Sequence, residues 1–506
     1  MKKIFLSLLL AAGLLSSCDM DKQPVGTLDG ENAIQTLEDA ARYRNGIYSG
    51  LRGYAASGFF TDIEIQMDMF QATNLVGNRG ILFASGDIRT NSGETASYFS
   101  ALYSRIASIN YFLGKTTPLM EACEDPEEKL TFERYIGEAR FARAYYNAGL
   151  LDRFAPAYSA EMLDAPGMGI AIVTEYYPTS DRSLYPGRST QKESYQFIEE
   201  DLEYAYNALV AYEKVDDSAV VPMSPYVSSY TVEALQARVA LLKTDYAAAA
   251  KYAQDVIDSK MYALATPNNY NAMWLNDNSD EILFLPYESS PDEVGSAIGT
   301  RWISIYDDRA DYIPSYQCLS MYDDTDVRFD SYFDVRNLNF SGTVIPCFNF
   351  YKFPGNPDLR VTASSNNIVN KPKPFRLSEM YLIAAEANAM LGNTEPANNA
   401  LNTLRKNRHT AYVNENFTGN NLIAEVRNER TMELIGEGFR MSDLRRWKQG
   451  FTRNPSHPEQ PAIESQLWPS TTTISYQPDD YRYTWPIPST ELEVNPQMKG
   501  QQNPGW

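Results

Sequence analysis

The chain has 506 residues, with 65 Asp and Glu against 44 Lys and Arg and a formal net charge of −21. So acidic a chain disfavours phosphate backbones and anionic membrane surfaces, and no nucleic acid is expected as a partner. Two histidines and four cysteines offer little for a metal centre or a disulfide framework, whereas 35 tyrosines suit neutral polar ligands held by ring stacking and hydroxyl hydrogen bonds.

Lys2 and Lys3, an apolar run from Ile4 to Leu15, and Ser16-Ser17 before Cys18 form a secretory signal pattern over residues 1–17. The run falls short of the roughly 20 residues of a membrane-spanning helix. Leu15-Ser16-Ser17-Cys18 resembles the lipobox of bacterial lipoproteins, in which the cysteine thiol is acylated and becomes residue one. Several acyl chains together anchor a protein stably, so residues 18–506 are expected as one lipid-tethered domain at the cell surface. Loss of Lys2 and Lys3 takes the formal charge to −23.

Helical periodicity predicts elements at about Ala33 to Leu51, Tyr98 to Lys115, Glu127 to Arg153 and Gln191 to Tyr212, within an N-terminal part of about 19–220. Val232, Leu235, Val239 and Leu242 then recur at steps of three and four, and Asp245 caps a second helix from Tyr246 to Ser259. The arrangement returns where Leu377, Met380, Tyr381, Ala384, Ala387 and Leu391 form a stripe closed by Gly392-Asn393, with Thr394 opening the next helix through Leu404. These pairs, about 231–260 and 376–408, look like tetratricopeptide units. A further helix is expected at Leu422 to Ile435. The expected fold is all-α, a helical-pair scaffold carrying irregular insertions at about 55–93 and 266–373, which repeat scaffolds gather on one face.

Signals for catalysis are weak. His409 and His457 are isolated, and no Gly-x-Ser-x-Gly elbow is present. Asp323-Asp324-Thr325-Asp326-Val327-Arg328-Phe329-Asp330 lacks the turn glycine of a calcium loop. No cofactor or metal is expected. A glycoside hydrolase needs only two carboxylates about 5 to 10 Å apart, so composition leaves that alternative open. A bridge between Cys318 and Cys347 also stays open.

The stretches Gly137-Glu-Ala-Arg-Phe-Ala-Arg-Ala-Tyr-Tyr146, Phe375-Arg-Leu-Ser-Glu-Met-Tyr-Leu-Ile-Ala-Ala-Glu-Ala387 and Asn428-Glu-Arg-Thr-Met-Glu-Leu-Ile-Gly-Glu-Gly-Phe-Arg-Met-Ser-Asp-Leu-Arg-Arg-Trp447 resemble, in order, the SusD/RagB family of nutrient-uptake lipoproteins. The end, Trp485-Pro-Ile-Pro-Ser-Thr-Glu491 and Gln502-Asn-Pro-Gly-Trp506, is similar to that family's closing motif. Phe154-Ala-Pro-Ala-Tyr158 departs from it where a Gly-Gly-Val-Pro run is usual.

The resemblance implies a binder and not an enzyme. It would capture oligosaccharides, or alternatively peptides, and deliver them to a TonB-dependent SusC-like transporter at the outer membrane. It also implies a ligand face built from the insertions, with Asn74, Asn78, Arg79 and Phe83 from the first and Trp274, Tyr287, Arg301, Trp302, Tyr306 and Tyr312 from the second. Trp302, between Arg301 and Tyr306, is the expected stacking platform. Trp447 and Trp485 belong to the core, and Glu429, Arg430, Glu433, Glu437, Arg440, Asp443, Arg445 and Arg446 read as scaffold ion pairs.

Cys18→Ala is expected to leave the mature domain folded and release it from the membrane fraction, because the acyl chains are its anchor. Membrane fractionation checks this, and a membrane-bound variant would refute the lipid tether.

Overall fold

The computed structural model describes residues 33–77, 79–302, 309–362, 364, 367–468 and 474–506; Cys18 and the signal segment lie outside them. Helices α1 (Leu37–Ala55), α2 (Gly58–Gln66), α3 (Gly93–Ala122), α4 (Pro126–Phe154) and α5 (Gln191–Glu213) make the N-terminal part. Their starts follow from local chemistry. Thr36 with Asp39, and Thr190 with Glu193, close capping boxes on α1 and α5, while Asp125 accepts from the amides of Glu127 and Glu128 ahead of Pro126. Helices α4 and α5 approach so closely that a Cβ on Gly137 would stand 2.9 Å from that of Ala208.

The first helix pair is α6 (Ser229–Leu242) and α7 (Tyr246–Asp258), and the second is α8 (Leu377–Met390) and α9 (Thr394–Lys406). Buried Ala249 and Ala253 let α8 settle directly on α7. Helices α10 (Gly419–Leu434) and α11 (Arg440–Arg446) complete the scaffold. Among the described residues no helix is long and apolar enough to cross a membrane.

The insertions are less irregular than the sequence suggests. Helix α2 lies inside the first, and it is buried along Phe59, Ile63, Ile65 and Gln66, so it shows no polar face to give a helical period. Strands β4 (Phe333–Phe340) and β5 (Thr343–Phe350) form a hairpin in the second, paired from Phe333↔Phe350 to Phe340↔Thr343. Ser341 and Gly342 both take positive φ, 53° and 98°, as a two-residue hairpin turn requires.

The charged motif near the C-terminus is a scaffold of ion pairs, but chiefly with distant partners. Glu433, fully buried, accepts from Arg376 Nη1 (2.8 Å), Arg408 Nε (2.8 Å) and Arg328 Nη1 (3.1 Å). Glu281 receives Arg376 (2.7 Å) and Arg408 (2.8 Å), Glu429 receives Arg328 (2.7 Å) and Arg405 (2.8 Å), and Glu437 receives Arg376 (2.6 Å) and Lys352 (2.7 Å). Arg440 reaches Asp68 (2.6 Å) and Arg445 reaches Asp152 (2.8 Å).

Glu433→Ala would take one carboxylate from each of three buried guanidiniums and leave the cluster with excess positive charge, so it should cost about 3 to 5 kcal/mol of stability, read as a lower urea midpoint. The pH dependence has two limbs. Burial raises the Glu433 carboxyl, but Arg408, Arg376 and Arg328 outweigh it and hold it well below 4.5, so its contribution is present above 4.5 and is lost as pH falls through the depressed folded value. Burial pushes Glu64, Glu233 and Glu288 up to about 7, so their folded forms retain protons and stability declines as pH rises from 4.5 towards 7. The melting temperature should therefore peak near about pH 5; a steady rise to pH 8 would contradict this assignment.

Candidate functional site

The two insertions meet through a three-stranded sheet in which β1 (Phe70–Thr73) lies between β3 (Tyr312–Pro314) and β8 (Leu467–Trp468). The amide of Thr73 donates to the Asp311 carbonyl (2.8 Å), and that of Asn74 donates to the Gln466 carbonyl (2.8 Å). Segments nearly four hundred residues apart in the chain thus share one surface.

Arginines on buried carboxylates dominate that surface. Arg301 Nη2 sits 2.5 Å from Asp62 Oδ1, and Tyr98 donates its hydroxyl to the other oxygen of Asp62 (2.5 Å). Arg79 pairs with Asp311 at 2.6 Å, and its own carbonyl accepts from the Tyr312 hydroxyl (2.6 Å). Burial raises both aspartates, opposed by Arg301 at Asp62 and by Arg79 at Asp311. The Arg79 side chain remains 58% exposed, so its donors other than the Nη2 bond to Asp311 remain open. Asn74 is exposed beside it, its Nδ2 reaching the Ser465 carbonyl (3.3 Å).

Of the residues expected to bind ligand, the structure gathers Asn74, Arg79 and Arg301 here and corrects the aromatic set. Trp302 is 1% exposed, wedged between Phe70, Phe350 and Phe353 with ring centroids 4.9 to 5.9 Å away, and offers no face to a ligand. Trp274 is buried among Tyr270, Tyr332 and Phe353 with the Lys352 ammonium 4.4 Å from its ring. Phe83 packs on Trp485, and Tyr312 is buried apart from its hydroxyl bond. An insertion of this length needs its own core, and these rings supply it. Tyr287 is 56% exposed, but on a separate stretch held by Arg52, which donates to its carbonyl (2.6 Å). Tyr306 and Asn78 lie outside the described residues.

Trp447 and Trp485 are core, as expected. Cys318 and Cys347 are free thiols, both buried. Among the described residues no three His, Cys, Asp or Glu side chains converge as a metal site.

Sequence reasoning missed Trp468. It ends β8 opposite Ala72, packed in part on the main core and in part exposed, which makes it a candidate aromatic platform at the sheet end. Its local sequence carries no signal for this, because the pairing that places it belongs to β1. The arrangement of an aromatic face, a half-free guanidinium and a side-chain amide can stack on an apolar ring face and hydrogen-bond hydroxyls.

Two family models match successive parts of the chain. Residues 35–241 match one described as "Starch-binding associating with outer membrane", and residues 336–506 match the SusD family. SusD-like protein P2 of Formosa agariphila is 24% identical over all of this chain and 99% of its own length, and SusD-like protein P38 of the same organism is 23% identical over 86% and 89%. A SusD superfamily protein of Bacteroides thetaiotaomicron superposes with a TM-score of 0.76 over 93% of this chain and all of its own, at 24% identity. A SusD-like carbohydrate binding protein of Bacteroides vulgatus gives 0.72 over 94% and 99%, at 19% identity. Both ends of the chain and its whole fold therefore agree, and the chain belongs to the SusD family.

Proposed function

We propose that this protein is an outer-membrane surface lipoprotein, tethered through Cys18, that captures oligosaccharides and hands them to a SusC-like TonB-dependent transporter without cleaving them. The observation that supports the reading is the shared sheet of β3, β1 and β8, to which Asn74, Arg79 and Trp468 are attached, on a fold whose relatives include a carbohydrate binding protein. The membrane association named by the family model and the lipobox support the location. A transporter that supplies the energy leaves this chain only affinity to contribute, which a stacking ring and a few hydrogen bonds provide.

A screen of oligosaccharides and peptides against the purified protein, followed by chromatography of the incubated ligand, tests the reading. Binding of an oligosaccharide that stays intact is the expected result. A cleaved glycan, or a preference for peptides, would overturn it. Trp468→Ala and Arg79→Ala should each weaken capture about tenfold, about 1.4 kcal/mol, by titration calorimetry. Trp302→Ala should instead lower the melting temperature, because it removes a ring from the insertion's core.

A further inference from the structure

A second groove, of about 720 Å³, opens between α10 and the segment after α11, and shares no residue with the surface described above. Its charged lining residues are Arg427, Arg440, Lys448 and Asp68, a positive excess in a chain of net charge −21. Asp68 and Arg440 neutralise each other at 2.6 Å. Arg427 is different. It is half-buried, its guanidinium carbon lies 5.1 Å from the Trp447 ring centroid, and among the described residues it forms no ion pair, with its buried Nε lacking any hydrogen-bond partner.

The guanidiniums around it are each committed to partners. Arg446, on the same Trp447 ring, is held by Glu386 (2.6 Å) and Asp443 (2.8 Å), and Arg430 by Asp443 (2.8 Å). Arg453, without a carboxylate, donates to the carbonyls of Met67, Ala84 and Gln66. Glu386 and Asp443 act on Arg427 only at a distance and are already bound by Arg446, so the half-buried Arg427 guanidinium keeps donors open to an anion from outside. Burial lowers its proton affinity, the direction that a bound carboxylate reverses.

The groove also selects what carries the anion. Gln317, Asn420, Asn428 and Gln449 on its rim are exposed and make no side-chain hydrogen bond among the described residues. Neutral amides that both donate and accept match sugar hydroxyls, while Met321 and Ile423 offer apolar wall to C–H faces. We propose that this groove binds a carboxylate-bearing saccharide, its carboxylate held in a two-bond fork by Arg427 and its hydroxyls by the rim amides. This deepens the reading of oligosaccharide capture and rests on it: acidic glycans would be gripped at a second point.

Titration calorimetry with a panel of uronate oligosaccharides (galacturonate, glucuronate and mannuronate) and their neutral counterparts tests it, on the full mature protein. The wild type should bind a uronate oligomer at least tenfold tighter than its neutral partner, with the advantage shrinking in high salt. Arg427→Met should abolish that preference at an unchanged melting temperature, and Arg42→Met, which removes an exposed cation on α1 outside both surfaces, should retain it. Should Arg427→Met unfold, Arg427→Lys, which keeps the charge and loses the planar fork, should still reduce the preference. Neutral sugars binding as well as uronates, or an intact preference in both Arg427 variants, would overturn the groove assignment and leave oligosaccharide capture standing. Binding of acidic peptides alone, or of no saccharide of either kind, would overturn both.

Discussion

A balanced set of charges buried at the centre of the scaffold is the constraint on which the rest depends. Glu281, Asp326, Glu429, Glu433 and Glu437 face Arg328, Lys352, Arg376, Arg405 and Arg408, all in contact within one cluster. Away from water each charge is tolerable only while its partners stay within hydrogen-bond reach, so the cluster permits one arrangement of the segments that carry it. Those segments are the approach to β2 (Ile282–Phe284), the short helix at Val327–Tyr332, the residue pair β6 (Phe375–Arg376), the end of α9, and α10 with the turn beyond it. Apolar packing alone would let such helices slide by small steps. Forked guanidiniums do not.

From this centre the fold reaches outward to the insertions. Lys352, just beyond β5, donates to the carbonyls of Glu433 and Ile435 (3.0 and 2.9 Å), which fixes the hairpin against the turn after α10. Phe350 and Phe353 flank that lysine and enclose Trp302. The first insertion is tied in turn by Glu64, which accepts from the Gly438 amide (2.8 Å), and by Arg453, which gathers carbonyls from the end of α2. Strand β1 is thereby presented to β3 and β8 at a set height, and Arg79 and Trp468 occupy the surface that remains. The candidate recognition residues are thus held by a rigid support even though they sit in the insertions and at a sheet end.

How much was legible in the sequence differs by element. The paired helices were plain, since Leu235 and Val239 or Met380 and Ala384 mark a one-sided burial that repeats at the helical period. The ionic role of Glu433 and Arg440 was legible as well, although spacing pointed to neighbours on the same helix while the partners lie at Arg376, Arg408 and Asp68. Helix α2 was not legible as an element, because burial on all sides removes the polar face that periodicity needs, and the β4–β5 hairpin was not because apolar Val335 and Val344 stand at its exposed positions and blur the alternation.

The sequence by itself determined the class of protein: the helical scaffold, the lipobox and the ordered motifs are local or linear, and a linear pattern survives without coordinates. Which aromatic faces solvent was decided only in three dimensions. Trp302 and Trp468 both sit in irregular segments with polar neighbours, and nothing within a few residues of either separates them. The first is enclosed by Phe70 and Phe350 and the second is left at a sheet end opposite Ala72. That Arg427 makes no ion pair among the described residues is of the same kind, for a charge is known to lack a partner only when every segment that packs around it is in place.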